Sequence, residues 1–513
     1  MPVPTPLPML LPYVLAVKGS PMPRFSPAPA TRSADAPPTG RGRWQPHHTL
    51  WAMLLGGWLF SYADRSITGP VVTWLIENDH GMLGSATHPH ALGGLIGSLF
   101  FAGYMLTQFP GGYLGDRFGH RSMIAISLLW AGVTTLASGF VGGLLAFVVL
   151  RVLTGLGEGV FYSNDRTLIA RHSPPEKAGL GMGVAITGLA LGLTVATIGA
   201  PYLIDWGAGT FGTAGAWRMP FIVLGAATLL FGLAMTGYLR RLGGPLKAGG
   251  PALRLIGISV VLCAAVMAVY LIADGLGLPA WGVAVAECAL AFLLIGAVFA
   301  RRGTRMGSVA RNRNVLLLCF AFIAVMWNLW FFSFWSVSIV ADAATSSFAK
   351  AALVATFNAG AGILGFPAGG WLSDIAKRRG WGRRPMIVAS VVVQGLLVVV
   401  FGAYLQLAGK PSLVLMSVLL FVTSLVFNAL QPMVHALLND VVDPAERGAA
   451  FGLFNLVSEI GAVVSPALGG ALFDAYRTWV PAIYLDGALM LASAALYALV
   501  RESTTPTPPL ATA

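Results

Sequence analysis

Four charged residues stand in the middle of long apolar runs. Asp64 and Arg65 occupy the centre of the run near 51–76, and Arg151 and Glu158 lie in the run near 144–169. An ionisable side chain at bilayer depth costs several kcal/mol unless it is paired or wet, so each is a functional candidate. A buried carboxylate beside a guanidinium is suited to gaining and losing a proton, and a guanidinium can hold a carboxylate through two parallel hydrogen bonds. At 1.5 Å per residue, Asp64 and Arg65 fall about 20 Å from the start of their helix, near mid-membrane. Side chains adjacent in sequence point about 100° apart on a helix, so these two need not pair with each other. Arg151, Gly155, Glu158 and Tyr162 follow one another at spacings that share a helix face, with Glu158 level with Asp64 and Arg151 two turns away. Two readings follow. Either Asp64 and Arg65 are a structural ion pair that braces the helix and Arg151 and Glu158 are a gate or a packing pair, or Asp64 and Glu158 bind protons while Arg65 and Arg151 meet an anion.

The second half of the chain offers mainly neutral polar groups. Asn328 stands at the middle of its run between Trp327 and Trp330, followed by Asn358, Asn428, Gln431 and Asn455. Such amides supply donors and acceptors for a hydroxylated ligand. Glu459, one turn from Asn455, is the exception. It is either a third proton site or a selector for a zwitterionic or cationic ligand.

The composition fixes what must hold these groups. The 513 residues are 56% hydrophobic and 10% charged, with mean hydropathy +0.75. A soluble domain carries about 25% charged residues. On the criterion of roughly 20 apolar residues per span, about fourteen candidates emerge. Six run near 51–76, 91–115, 122–142, 144–169, 179–204 and 217–239, two near 253–273 and 280–300, and six near 314–341, 350–373, 384–406, 411–437, 447–473 and 478–500. The expected division is a disordered tail (1–46), a six-helix bundle (47–242), an inserted two-helix hairpin with basic linkers (243–313), a second six-helix bundle (314–501) and a tail (502–513). The net charge of +12 lies in short loops on every second connection, which argues for cytoplasmic loops and cytoplasmic termini rather than nucleic-acid binding. The apolar patch Met9–Val17 is broken by Pro12 and follows no basic region, so it is not read as a secretory signal.

One stretch occurs twice. Phe109-Pro110-Gly111-Gly112-Tyr113-Leu114-Gly115-Asp116-Arg117-Phe118-Gly119-His120-Arg121 reads as a short polar corner between spans. Phe366-Pro367-Ala368-Gly369-Gly370-Trp371-Leu372-Ser373-Asp374, with basic residues from Lys377 to Arg384, repeats it in the second half. Internal repeats of this kind build many secondary transporters. The repeated corner resembles the signature of the major facilitator superfamily, whose fold is two pseudo-repeated six-helix bundles. Tyr62-x-Asp64-Arg65, Gly103-Tyr104 with Gln108-x-Pro110-Gly111-Gly112, and Arg151, Gly155 and Glu158 are similar to the anion:cation symporters of sugar acids, sialic acid and vesicular glutamate. The resemblance implies protonation at Asp64 and Glu158 and anion contact by Arg65 and Arg151. Tyr62, Asn328, Asn455 and Glu459 complete the expected binding site. Asp116, Arg117, Arg121 and Asp374 are the expected gating residues. Spinster-like lipid carriers share part of this pattern. One departure is the sequence Ser163-Asn164-Asp165-Arg166 where the family has a proline; Asp165 and Arg166 are either a gate or a solvated helix end.

These features point to a multi-pass protein of the cell membrane, expected to act as a monomer in the bilayer. The expected function is proton-coupled symport of a small organic anion, with no cofactor beyond the proton and no metal. The alternative is a proton-coupled antiporter exporting amphiphilic compounds or lipids, although Gly199-Ala200-Pro201 matches its helix-5 Gly-Pro pair poorly. Gly155-x-Gly157-x-Gly159 lacks the preceding strand of a nucleotide site, and no catalytic box occurs, which argues against an enzyme.

Overall fold

The computed structural model describes residues 44–502 apart from 79–81, 84–85, 175–176, 248, 303–304 and 444–445. Most of the two tails expected to be disordered (1–43 and 503–513) therefore lies outside the described residues, as do the side chains of Arg301, Arg302 and Arg305. Among the described residues the regular structure is sixteen α-helices and one 3₁₀ turn. The first half contains α1 (Pro46–Glu77), α2 (Pro89–Phe118), α3 (His120–Ser138), α4 (Leu144–His172), α5 (Ala178–Phe211) and α6 (Arg218–Gly243). The insertion is α7 (Gly249–Gly275) and α8 (Ala280–Arg302), followed by the short linker helix α9 (Arg305–Arg311). The second half contains α10 (Arg313–Ala344), α11 (Phe348–Gly360), α12 (Gly362–Arg378), α13 (Arg384–Leu407), α14 (Leu413–Val441), α15 (Arg447–Tyr476) and α16 (Val480–Ala498).

Thirteen stretches are long and apolar enough to cross a membrane among the described residues, with α11 and α12 together forming one. The fourteenth expected span is α1. Its polar centre, Ser61 to Thr68, lowers its hydropathy, but every residue there is buried against protein rather than lipid. At 32 residues it is about 48 Å long, ample for a crossing. The run near 350–373 is not one continuous helix. It breaks at Ala361, which stands between Gly360 and Gly362, two poor helix formers.

The repeated corner also differs from expectation. Helix α2 continues through the stretch read as a polar corner, and the chain turns at a single residue, Gly119, with φ of 95°. A side chain disfavours that conformation, so glycine makes a turn of one residue possible. We call the end of the molecule that carries Gly119 and the 379–383 connection the corner face, and the opposite end the far face.

In lipid, helices associate through close packing of small residues rather than through a hydrophobic drive. The α2–α4 contact shows this at Gly155, where a Cβ would collide with the carbonyl oxygen of Phe100. The two halves meet along α2 and α15, along α1 and α10, and where α5 meets α11. The inserted hairpin does not stand apart. Helix α8 lies against both α2 and α15, and α7 packs on α4 and α2.

Candidate functional site

Two ion pairs link the centres of α1 and α4. Arg65 donates from Nε to Oε2 of Glu158 at 2.7 Å, and both side chains are buried. Ser61, one turn earlier on α1, donates to the same oxygen at 2.8 Å and accepts from Arg65 Nη2 at 3.0 Å. Asp64 instead accepts from Arg151 Nη1 at 3.1 Å. The adjacent residues Asp64 and Arg65 thus turn to different partners two turns apart on α4, as their divergent directions on the helix allow.

The two arginines have different surroundings. Arg151 is fully buried inside the first half, where Nη2 also donates to Ser138 Oγ at 3.0 Å and to Thr135 Oγ1 at 3.2 Å, both on α3. Arg65 lies at the seam between the halves. Its guanidinium carbon stands 4.1 Å from the ring centre of Tyr104 and 4.5 Å from that of Tyr62. The Tyr62 ring stacks on Trp330 of α10, in the other half, with centroids 5.8 Å apart. The seam is bridged again where Gln108 on α2 donates to Glu459 Oε1 on α15 at 3.3 Å. One oxygen each of Asp64, Glu158 and Glu459 is buried without a hydrogen-bond partner.

Other expected residues lie elsewhere. Asn328 is turned into the second half, where its amide nitrogen donates to Asp486 Oδ2 at 2.5 Å and its Oδ1 accepts from Gln394 at 3.3 Å. Asp486 is a buried acid deep in the second half, and its bond, with that of Gln394 opposite, turns the Asn328 amide into that half. Asn455 is half-buried one turn before Glu459. Asp165 and Arg166 do not form a solvated helix end. Asp165 is fully buried and accepts from Trp58 Nε1 at 2.6 Å, while Arg166 stands over the rings of Trp58 and Tyr162.

The gating residues differ from the expected pattern in their partners. Asp116 reaches His120 Nε2 at 3.3 Å and is largely exposed, and Arg121 turns away from it. Arg121 Nη2 donates to Gly243 O at 2.6 Å and Nη1 to Leu239 O at 2.8 Å, at the C-terminal end of α6. The reason is electrostatic: the last carbonyls of a helix have no intrahelical donor and carry partial negative charge. Arg117 stands over Phe118. In the second copy Asp374 has the stronger partner, since Arg383 reaches it at 3.3 Å while also bonding Asp440 Oδ2 at 3.0 Å and Ser373 Oγ at 2.9 Å.

Three features escaped the sequence reading. His90 Nδ1 lies 2.8 Å from Asp474 Oδ1, and Ala91 N donates to Asp474 Oδ2 at 2.8 Å. A carboxylate of α15 thus caps the N-terminus of α2 and ties the halves together at the far face. Glu287 on α8 and Asp486 on α16 are buried acids inside apolar runs. The rule that selected Asp64 and Glu158 would have found both. Among the described residues, no cluster of three or more metal-ligating side chains occurs.

Comparison with known proteins agrees with this fold. The family model described as Major Facilitator Superfamily matches residues 54–379 and 316–513. The chain is 25% identical over 464 residues to a hexuronate transporter of Bacillus subtilis, covering 88% of this chain and 94% of that protein. It is 24% identical over 417 residues to a D-galactonate transporter of Escherichia coli, covering 79% of this chain and 86% of that one. A solved bacterial homolog of the human lysosomal transporter Spinster superposes with a TM-score of 0.63 at 14% identity, covering 89% of this chain and 97% of that one, a likeness of fold alone. With two six-span halves, a family model matching nearly the whole chain from Leu54 and charged pairs buried at mid-membrane, this multi-pass membrane protein belongs to the Major Facilitator Superfamily, a family of transporters rather than enzymes.

Proposed function

We propose that this chain is a proton-coupled symporter of a small organic anion, a sugar acid or related carboxylate, working by alternating access in the cell membrane. The observation that carries the reading is the Arg65–Glu158 pair at the seam between the halves. A substrate carboxylate takes the place of Glu158 on the Arg65 guanidinium, which suits a two-bonded carboxylate. The displaced Glu158 then lacks its counter-charge in a low-dielectric site, so it takes up a proton as the substrate binds. Charge balance supports the same coupling: Arg65 and Arg151 are paired with Glu158 and Asp64, Glu459 is a further buried carboxylate at the seam, and an added anion requires added protons.

The second arginine has a different role. Arg151 holds Asp64 within the first half and sets the position of α1 against α4, while Asp64 is the second proton-binding group. Glu459, fixed by Gln108, accepts from substrate hydroxyls on the opposite wall, and Tyr62 closes one side. The relatives support the substrate class, because hexuronate and D-galactonate are both carboxylated sugars. The basic loops at the corner face support its placement on the cytoplasmic side, as the positive-inside rule has it. The Asp474 cap on α2 then closes the outer face, and substrate leaves past Asp165 and Arg166.

Uptake of a panel of labelled sugar acids into sealed vesicles, with the outside made acid, tests this. Accumulation of at least one acid that a protonophore abolishes is expected. Uptake indifferent to the protonophore would contradict the coupling, and transport of none of the panel would contradict the substrate class.

A further inference from the structure

The inserted hairpin carries a group that this mechanism does not use. Helix α8 buries one stripe, Val283, Ala284, Glu287, Cys288, Ala291 and Ile295. Glu287 stands at its centre, 1% exposed, and neither carboxylate oxygen has a hydrogen-bond partner. The stripe faces α2 of the first half and α15 of the second. An ionised carboxylate without a donor or counter-charge is costly in such a place, and an apolar side chain would pack there more favourably. Packing alone therefore does not explain the residue.

We propose that Glu287 is a further proton-binding site, protonated while α8 is clamped between the halves and exchanging its proton with water when the far face opens. Among the described side chains, the titratable and charged groups on the packed elements are His90, Tyr104, Asp116 and Arg117 on α2, Arg447, Glu459, Asp474 and Tyr476 on α15, Arg254, Cys263, Tyr270 and Asp274 on α7, and Cys288 beside it, and none makes a hydrogen bond or ion pair with Glu287. His90 and Asp474 hold each other. Helix α8 contacts α2 of one half and α15 of the other, which places the stripe beside the seam. Helices α2 and α15 are the same two that the Asp474 cap ties together at the far face. Opening that face parts them and wets the α8 stripe between them. The carboxyl then gives its proton to water, and the face recloses over Glu287 only after a proton returns. The insertion thereby makes closure of the far face sensitive to the pH on that side.

This inference rests on the proposal that the halves alternate, and its test reads the seam without any transport. In the full chain reconstituted in vesicles, Cys263→Ala with Cys319→Ala leaves Cys288 the sole thiol. Its alkylation rate by N-ethylmaleimide is compared with and without Glu287→Gln at each pH, so that the intrinsic pH dependence of the thiol cancels. The ratio of parent to Glu287→Gln is expected to rise about tenfold between about pH 6 and about pH 9, as ionised Glu287 loosens the seam. Direct repulsion of the thiolate by Glu287 would move the ratio the other way. Glu287→Met, apolar and of similar length, should match Glu287→Gln and replaces it if the amide does not fold. A ratio constant with pH, or one that falls, would overturn the proposal. Failure of both variants to fold would overturn it too, because the carboxyl would then be structural.

Discussion

Arg65 and Glu158 meet at 2.7 Å where the two halves of the molecule face each other, whereas the neighbouring Asp64 meets Arg151 inside one half. One pair can be broken by a ligand arriving at the seam. The other is enclosed by α1, α3 and α4. On the proposed mechanism the two pairs divide the work: the first answers to substrate, and the second positions α1 against α4 while holding the second proton-binding group.

That separation predicts different costs. Arg151→Ala leaves Asp64 buried without its counter-charge and should destabilise the protein by about 3–5 kcal/mol. Combining it with Asp64→Asn should recover most of the loss, because the buried charge is gone. Thermal unfolding in detergent checks both. A single variant as stable as the parent would mean that Arg151 braces nothing.

The far-face contact gives a prediction about conformation. Asp474→Asn removes the charge from its bonds to His90 and to the α2 N-terminus, each worth about 1 kcal/mol or more. The open far face should become about tenfold more populated. A reporter cysteine at the buried Ala467, in a background without native cysteines, should then be alkylated about tenfold faster by an impermeant reagent from outside. An unchanged rate would show that Asp474 does not hold that face shut.

The corner face carries an asymmetry between the repeats. Asp116 is 65% exposed and meets only a histidine at ion-pair distance, so Asp116→Asn should slow transport modestly and leave substrate affinity nearly intact. Arg383 holds Ser373, Asp374 and Asp440 together, so Arg383→Ala should cost about 2 kcal/mol in melting experiments and slow transport more. Equal effects of the two substitutions on rate and stability would contradict this ranking.

The helices were legible because a span leaves a long apolar signature and lipid forbids an unpaired backbone. Helix α1 was the instructive case, since its polar centre weakens the apolar signal and also marks the site. The ionisable residues at mid-membrane were legible for the same energetic reason. Their partners were not, because pairing across helices depends on packing angle and side-chain reach. Spacing gave the shared face of Arg151 and Glu158 but could not show that Arg151 turns to α3 and that Arg65 faces the seam. The direction of Asn328 was not legible, since Asp486, far along the chain, claims its amide. The Asp474 cap was illegible because it joins residues 384 positions apart at a face that sequence spacing does not describe.

If Glu158 carries a proton in exchange for releasing Arg65 to the substrate, exchange and net accumulation must respond differently to its neutralisation. Glu158→Gln mimics the protonated state permanently. In the same vesicles, counterflow exchange of a transported sugar acid should persist, because exchange needs no net proton movement. Accumulation driven by a pH gradient should be lost, because the empty carrier cannot release that proton and reset. Arg65→Ala should abolish both, since the anion loses its counter-charge in a low-dielectric site. If Glu158→Gln accumulated substrate as fully as the parent under the same gradient, Glu158 would be a structural partner of Arg65 and the proposed coupling would be wrong.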